Sequence, residues 1–337
     1  MPVRREDFSI DPRKIYPLKG KLWLPDQDDQ VLGLLHKSKT LKNWQIDLPR
    51  GISIRGTFRN VLLKASGYRE PTDRDVELWN KHFKGPNGDV LSPQDVLNYV
   101  QVDLNQEAPG TTILCFVNVE LTERNVRLLL IPYIHIDEDT LVPLGLMRRI
   151  LTPQTELVEH HTAVRSKYDA DVDDPQRAQI VKNCKKTPFV SALTRNCIRL
   201  YLALGYKSIE LTAGFSAGSA VWPKYAFYPR TDKEWKELKT RIRDKHISLP
   251  KPIKMAAIAR LRTITRNNDP QSIYWLSDIT LTKLSLKPNL FDRKFAKYKV
   301  GGVLLQSQRW KGKLDLSNQR ARKRLEKYLG TKNCTLP

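Results

Sequence analysis

Cysteine and histidine are scarce in this sequence, and their spacing excludes the sites that they most often build. The four cysteines, Cys115, Cys184, Cys197 and Cys334, lie far apart, without a C-x-x-C pair and without histidines clustered beside them. Zinc sites and disulfide frameworks need several such residues at short, regular spacings. We therefore expect neither a bound metal nor a structural disulfide.

Long apolar runs are also missing. No stretch approaches the roughly 20 apolar residues of a transmembrane helix, and the charged N-terminus, Met1 to Asp7, leads into no apolar segment of signal-peptide length. The sequence therefore predicts a protein without a membrane span, and the cytoplasm is its expected location. Export by a route without a signal, or packaging in a virus particle, would leave no mark of this kind.

Acidic residues are too few to balance the basic ones. The 337 residues carry 58 Lys and Arg against 36 Asp and Glu, a net charge of +22. Residues 233–337 hold 26 of those cations and only 8 carboxylates, so +18 of the charge lies in the last third of the chain. Such a region attracts polyanions at a strength that falls with salt concentration. A solvated face that serves only solubility is the common explanation for a single charged helix, but not for an excess charge spread over so long a segment. Nucleic acid is therefore the partner we expect.

The remaining composition is that of an ordinary globular protein. Hydrophobic residues make up 40% of the chain, and its length suits two domains or one elaborated domain. Turn residues and changes in charge divide it into an N-terminal mixed α/β region (1–109), a core (110–232) and a basic, mainly helical region (233–337). The predicted fold class is α/β (α+β), with a mixed, twisted sheet flanked by helices.

Short elements are predicted in the N-terminal region and longer ones in the core. Residues 52–58 alternate like a strand, Thr72 caps a helix that runs to His82, and Ser92 opens a second helix. In the core, the β-rich runs 111–121 and 125–136 predict a hairpin, and 155–166 predicts a third strand.

A long amphipathic helix is predicted next, ending at Leu204 before Gly205. Residues 207–213 then predict a strand, which we expect to be apolar on both faces, and a glycine-bearing turn follows it. In the last third of the chain, capping residues and periodicity predict basic helices over 233–245, 253–266 and 316–329.

Two segments of the core resemble the Gcn5-related N-acetyltransferase (GNAT) fold. Residues 202–213, Leu-Ala-Leu-Gly-Tyr-Lys-Ser-Ile-Glu-Leu-Thr-Ala, are similar to the family's helix end and Ile-x-Leu-x-Ala strand. Residues 222–227, Trp-Pro-Lys-Tyr-Ala-Phe, are similar to its Tyr-x-Lys-x-Gly-Phe helix end. The resemblance covers about residues 111–230. It implies an N-acyltransferase that uses acetyl-CoA or another acyl-CoA, on an amine that the basic region could bring in with nucleic acid.

Three positions depart from the family's pattern. The family holds the pyrophosphate of CoA in a glycine-rich loop before its long helix, but residues 164–189 contain no glycine. Trp222 replaces the general-acid tyrosine, and an indole exchanges no proton at neutral pH; Ala226 replaces a glycine. These departures imply an atypical or degenerate branch. The alternative to the enzyme is a non-catalytic GNAT-like scaffold in a nucleic-acid-binding, toxin-like or virion-type protein.

Four residues are candidates for acyl-transfer chemistry. Glu120, at the end of the first hairpin strand, lies where the resemblance implies a general base, and His160 or His161 on the third strand could also deprotonate an amine. Tyr225 could replace the missing phenol. Each has an ordinary alternative, namely a solvated carboxylate, a surface or hydrogen-bonded core histidine, and a packed tyrosine.

The glycine-bearing turn and the basic region are the candidate binding sites. Gly214, Ser216 and Gly218 present amides that could hold the phosphates of a cofactor, unless the turn is only a tight connection. In the basic region, cations interleave with aromatic residues, a combination that can hold phosphates and stack on bases, or cover a core. The cations expected to bind nucleic acid are Arg260, Arg262, Arg266, Arg309, Lys311, Arg320, Arg322, Lys323 and Arg324.

Overall fold

The computed structural model describes residues 2–4, 22–23, 72–100, 102–103, 112–137, 140–143, 145–164, 189–213 and 218–329. The chain divides into two compact units, residues 1–207 and 208–336. Each unit combines strands with helices, so the predicted α/β class is confirmed. The division into three regions by charge and turns stays a prediction, and the strand predicted over 52–58 lies outside the described residues.

An antiparallel sheet is the framework of the first unit. Its strands are β1 (Leu22–Trp23), β2 (Val102–Asp103), β3 (Thr112–Leu121), β4 (Val126–Asp137), β5 (Thr140–Pro143), β6 (Gly145–Thr152) and β7 (Leu157–Val164). Their spatial order is β1, β3, β4, β6, β7, with β2 also on β3 and β5 on β4. The predicted hairpin is confirmed as β3 and β4, and the third predicted strand as β7. Strand β6, which lies between β4 and β7, is not among the elements that the sequence predicts.

The turn between β3 and β4 is closed by a threonine. The Thr122 N–H donates to the Asn125 carbonyl at 3.0 Å, and the Thr122 hydroxyl accepts from the N–H groups of Arg124 and Asn125. A hydroxyl that binds the backbone two or three residues on is a common way to build a turn. The sequence therefore sets the register of the hairpin locally.

Three helices of the first unit are α1 (Asp73–His82), α2 (Pro93–Val100) and α3 (Phe189–Ala203). The predicted caps are confirmed, because Thr72 and Asp75 form a reciprocal capping box, as do Ser92 and Asp95. Helix α3 ends before Gly205, which has a φ of +81° and where a Cβ would lie 2.9 Å from Pro86. Both the left-handed backbone and the close approach require glycine there.

In the second unit, β10 (Trp310–Asp315) lies between β8 (Ser208–Ala213) and β9 (Tyr228–Pro229) and is antiparallel to both. The predicted strand over 207–213 is confirmed as β8, but the expectation that both its faces are apolar is wrong. Ile209, Leu211 and Ala213 are buried, whereas the intervening residues are partly exposed. One of them, Glu210, binds the Arg230 guanidinium at 2.9 Å. A strand with alternating burial packs on one side only.

The helices of the second unit are α4 (Gly218–Val221), α5 (Asp232–Ile247), α6 (Lys251–Arg266), α7 (Ile273–Ser277), α8 (Arg293–Leu305) and α9 (Gln319–Leu329). The helices predicted over 233–245, 253–266 and 316–329 are confirmed as α5, α6 and α9. Thr231 caps α5 by accepting from the Glu234 N–H. Asn318 caps α9, because its side-chain oxygen accepts from the Ala321 N–H at 3.0 Å.

Helix α8 approaches α7 through a glycine. The Gly301 N–H donates to the Ile279 carbonyl at 3.2 Å, and a Cβ built on Gly301 would lie 1.6 Å from the Leu276 carbonyl oxygen. The obstacle is backbone, which cannot swing aside as a side chain can. Only glycine therefore allows α8 to pack this closely on the end of α7.

We expect Gly301→Ala to destabilise the protein by about 3 kcal/mol or more, because the new methyl group overlaps a carbonyl oxygen. Helix propensity alone predicts the opposite sign, a gain of about 1 kcal/mol. The free energy of unfolding from denaturant titration decides between them, with Ala259→Gly at an exposed position of α6 measuring the propensity effect by itself. Stabilisation by Gly301→Ala would contradict this packing.

Candidate nucleic-acid interface

His160 lies in a buried polar cluster between the sheet and α3. It is directly opposite Arg149 on the neighbouring strand, and the two side chains are 4% and 1% exposed. Directly paired residues of antiparallel strands project from the same face of a sheet. On that face, His160 Nε2 lies 3.1 Å from the Tyr201 hydroxyl of α3, and Cys197, one helical turn earlier, contacts Arg149 and Tyr201.

Burial controls the protonation of this cluster. It raises the pKa of the Cys197 thiol and raises the pKa of the Tyr201 phenol well above its ordinary value, although the nearby Arg149 charge acts in the opposite direction on both. The thiol and the phenol therefore stay protonated at neutral pH and act as hydrogen-bonding groups. The arrangement is that of a hydrogen-bonded core histidine, which joins β6 and β7 to α3.

Glu120 faces the other side of the same sheet. The cross-strand row that contains His160 runs through Arg149 and Leu128, and Glu120 belongs to the adjacent row, beside Arg127. Adjacent rows of a sheet project from opposite faces. The Glu120 carboxylate is half-exposed and lies 3.2 Å from the Arg127 guanidinium. The structure therefore does not bring Glu120 and His160 together.

The remaining candidates for acyl transfer and cofactor binding are described only in part or not at all. His161 is in β7, opposite Arg148, but its side chain is not described. Gly214 and Ser216 are not described either, and Gly218 is the first residue of the four-residue helix α4. The predicted phosphate-binding turn therefore stays a prediction.

Tyr225 belongs to the second unit, where it is buried among aromatic rings. Its ring centroid lies 4.7 Å from that of Tyr328 and 5.8 Å from that of Trp222. The next residue, Ala226, has a φ of +64°, a left-handed conformation that favours glycine. Ala226, where the GNAT pattern has glycine, thus has a backbone conformation that suits glycine. Tyr225 itself packs against the neighbouring rings.

The three arginines of α6 do not share a face. Arg262 and Arg266 are one helical turn apart, on one exposed side, whereas Arg260 is two positions before Arg262 and lies on the opposite flank. Arg260 lines a concavity with Thr263 and Ile264. The positive charge of the three arginines is therefore divided between two surfaces of the helix.

Helix α9 presents a stripe of cations. Arg320, Lys323 and Lys327 recur at helical spacing and are exposed, and we call them the α9 stripe. Arg322 is half-buried on another flank of the helix. Lys327 is not among the cations predicted to bind nucleic acid, although its spacing of four residues from Lys323 places it on the same side of the helix. The opposite face of the helix is buried and consists of Ala321, Leu325 and Leu329.

Arg309 and Lys311 lie in and beside a strand rather than on a helix. Lys311 is exposed on β10, and Arg309, just before that strand, is half-buried. In β10, buried Trp310, Gly312 and Leu314 alternate with more exposed residues. This alternation places Lys311 on the exposed face of the strand. The buried residues form the opposite face, so the segment can be a strand in spite of its basic residues.

Arg324 points inward, unlike the stripe. Its guanidinium donates to both carboxylate oxygens of Asp278 at 2.9 and 3.0 Å, to the Pro223 carbonyl at 2.8 Å and to the Ser277 hydroxyl at 2.8 Å. Burial by itself would raise the pKa of Asp278, but hydrogen bonds and the charge of Arg324, helped by Lys299 and Lys283, lower it. Arg324 is therefore engaged within the protein.

An exposed tryptophan, Trp275, lies near three cations. Trp275 is 45% exposed and lines a concavity of about 360 Å³ with Arg260, Lys283 and the apolar residues Ile264 and Ile279. The Arg320 guanidinium lies 5.3 Å from the centroid of the Trp275 ring. In such an arrangement the cations can bind phosphates while the aromatic ring stacks on a base.

We expect Asp278→Asn to destabilise the protein at neutral pH by about 1–3 kcal/mol, because charge-assisted hydrogen bonds to Arg324 weaken. The lowered pKa means that this stability is present above the ordinary carboxyl value of 3.8 and is lost as pH falls through the folded-state value. The difference in unfolding free energy between wild type and variant should therefore shrink in acid. Asp244→Asn, at an exposed carboxylate of α5, is the control. A difference that does not change with pH would contradict the ion pair.

Comparison with protein-family models, with curated proteins and with solved structures gives no match to this chain. The GNAT resemblance therefore stays a prediction. Within the residues that the structure describes, no helix is both long and apolar enough to cross a membrane. The same part of the chain contains no group of three or more His, Cys, Asp or Glu side chains that could hold a metal ion.

Proposed function

We propose that this protein binds nucleic acid through phosphate contacts made by residues 208–336. The observation that carries the proposal is the α9 stripe of three exposed cations, of which Arg320 lies beside the exposed Trp275 ring. The stripe belongs to the part of the chain that holds most of the net charge. Phosphates are bound by Arg and Lys side chains at the protein surface, and these contacts position the polymer without reading its sequence.

Energetics support a polyanion as the ligand. Each phosphate that a cation neutralises releases counterions, so binding is strongest at low salt. Within α9, and likewise within α6, exposed cations lie one helical turn apart. Like charges at this spacing repel each other and destabilise the helix. A bound polyanion would relieve this repulsion, and sequence preference should be weak because the sequence contains no base-reading motif.

Acyl transfer, which the GNAT resemblance implies, has weaker support. The described candidates are a buried histidine, an ion-paired glutamate on the opposite face of the sheet and a packed tyrosine. Calorimetry with acetyl-CoA tests the cofactor binding that this activity requires, and heat of binding would support the enzyme. The binding proposal does not depend on that result.

Replacing the α9 stripe by glutamine (Arg320→Gln, Lys323→Gln, Lys327→Gln) should weaken nucleic-acid binding and reduce its salt dependence. The slope of log affinity against log salt should become shallower by about 0.9 for duplex, or about 0.7 for a single strand, for each phosphate that the variant no longer neutralises. Fluorescence anisotropy with labelled oligonucleotides over a salt series measures both quantities.

The matched control removes three exposed cations from the first unit (Lys84→Gln, Arg124→Gln, Arg148→Gln), with the same change in net charge. If the stripe is the interface, this control keeps the wild-type slope. Equal losses in both triple variants would show that only net charge matters. Undetectable binding of the wild-type protein at low salt would overturn the proposed function.

A further inference from the structure

We propose that the concavity beside Trp275 binds an unpaired nucleobase, so that residues 208–336 prefer single-stranded over duplex nucleic acid. In this arrangement the base stacks on the Trp275 ring beside the guanidinium of Arg320, and Arg260 and Lys283 hold the adjoining phosphates. We call Trp275 with these three cations the Trp275 site. The inference rests on the proposed function and adds the form of the nucleic acid.

The exposure of Trp275 is built into the fold. Helix α7 has five residues, and it buries the side chains on both sides of Trp275, namely Tyr274 and Leu276, together with Ile273. By contrast, Trp79, Trp235 and Trp310 are buried. A tryptophan held at the surface by buried neighbours is a rigid platform, so stacking on it costs little conformational entropy.

Arg320 extends the aromatic surface. Its guanidinium lies 5.3 Å from the Trp275 centroid and 5.9 Å from the Tyr274 centroid, and an ion pair with Asp269 at 3.8 Å restrains it. Unstacked bases bind to aromatic rings and to the planes of arginine side chains. Both kinds of surface are adjacent at the Trp275 site.

The size and charge of the concavity select the ligand. Its volume of about 360 Å³ lies at the lower end of the roughly 300–1,000 Å³ of small-molecule pockets, which suits a single flat ring system. Arg260 and Lys283 contribute positive charge, and the carboxylate on its wall, Asp278, is neutralised by Arg324. An aromatic platform with cations around it matches a base with its phosphates better than an apolar peptide.

Duplex nucleic acid cannot use this site in the same way. Its bases are stacked on one another, so a base must unstack before it can reach the Trp275 ring, at a cost of a few kcal/mol. A single strand has bases available for stacking on protein aromatic rings, and such stacking tolerates any base. The site therefore favours unpaired strands without favouring a sequence.

The test compares Trp275→Leu, which keeps apolar volume but removes the ring, with Trp275→Phe, which keeps a ring. We expect Trp275→Leu to weaken binding of a labelled oligothymidylate about five- to hundredfold, with an unchanged salt slope, and Trp275→Phe to retain most of the affinity. Binding of a duplex of the same length should change little in either variant. Leu290→Ala, at another exposed apolar residue, is the control, and thermal melting confirms that each variant is folded.

A second pair of variants separates stacking from charge. Arg260→Gln and Lys283→Gln should make the salt slope shallower, which Trp275→Leu should not. Equal weakening by the Leu and Phe variants, no weakening by either, or the same loss for duplex and single strand would each overturn the stacking site while leaving the proposed function intact. Failure of the wild-type protein to bind any oligonucleotide would instead remove both.

Discussion

The guanidinium of Arg324 holds together the part of the second unit on which the candidate interface depends. It links α9 to the Trp222–Tyr225 turn through Pro223 and to the end of α7 through Ser277 and Asp278. Because these bonds are charge-assisted and partly buried, they fix α9 more firmly than surface ion pairs could. Arg320, one turn earlier on the same helix, is thereby held against the rings of Tyr274 and Trp275.

Helix α7 is too short to be stable alone, and the surrounding chain holds it in place. Gly301 brings the backbone of α8 against the Leu276 carbonyl, and the Tyr274 hydroxyl donates to the Ala226 carbonyl. Burial raises the pKa of Tyr274, so its hydroxyl remains a donor at all physiological pH values. The exposure of Trp275 is thus a consequence of contacts made by its neighbours.

The first unit contains a polar core of a different kind. Arg149 and His160 occupy the buried face of the sheet, where valine or leucine would be expected, and α3 supplies the Tyr201 hydroxyl and the Cys197 thiol as partners. Buried polar groups are tolerated when their hydrogen bonds are satisfied, and they make the packing of one element on another more specific. The cluster gives β6 and β7 a defined position against α3.

By itself, the sequence determined the features that rest on local interactions or on counting. The helix caps at Thr72 and Ser92, the hairpin with its Thr122 turn and the basic character of residues 233–337 all follow from neighbouring residues or from composition. Tertiary structure alone decided the rest. Strand β10 takes its place from β8 and β9, which lie far earlier in the chain. Charged residues in both β6 and β10 conceal the alternation that would predict a strand.

The same distinction separates Arg320 from Arg324. Both are arginines of one helix, a single turn apart, and no local pattern distinguishes them, yet one lies on an exposed ring and the other binds Asp278. Whether a charged side chain faces solvent or a partly buried carboxylate depends on which residues the fold brings opposite it. Those residues are about 46 positions away in the chain, and the energy of such a pair depends on burial, which only the folded structure sets.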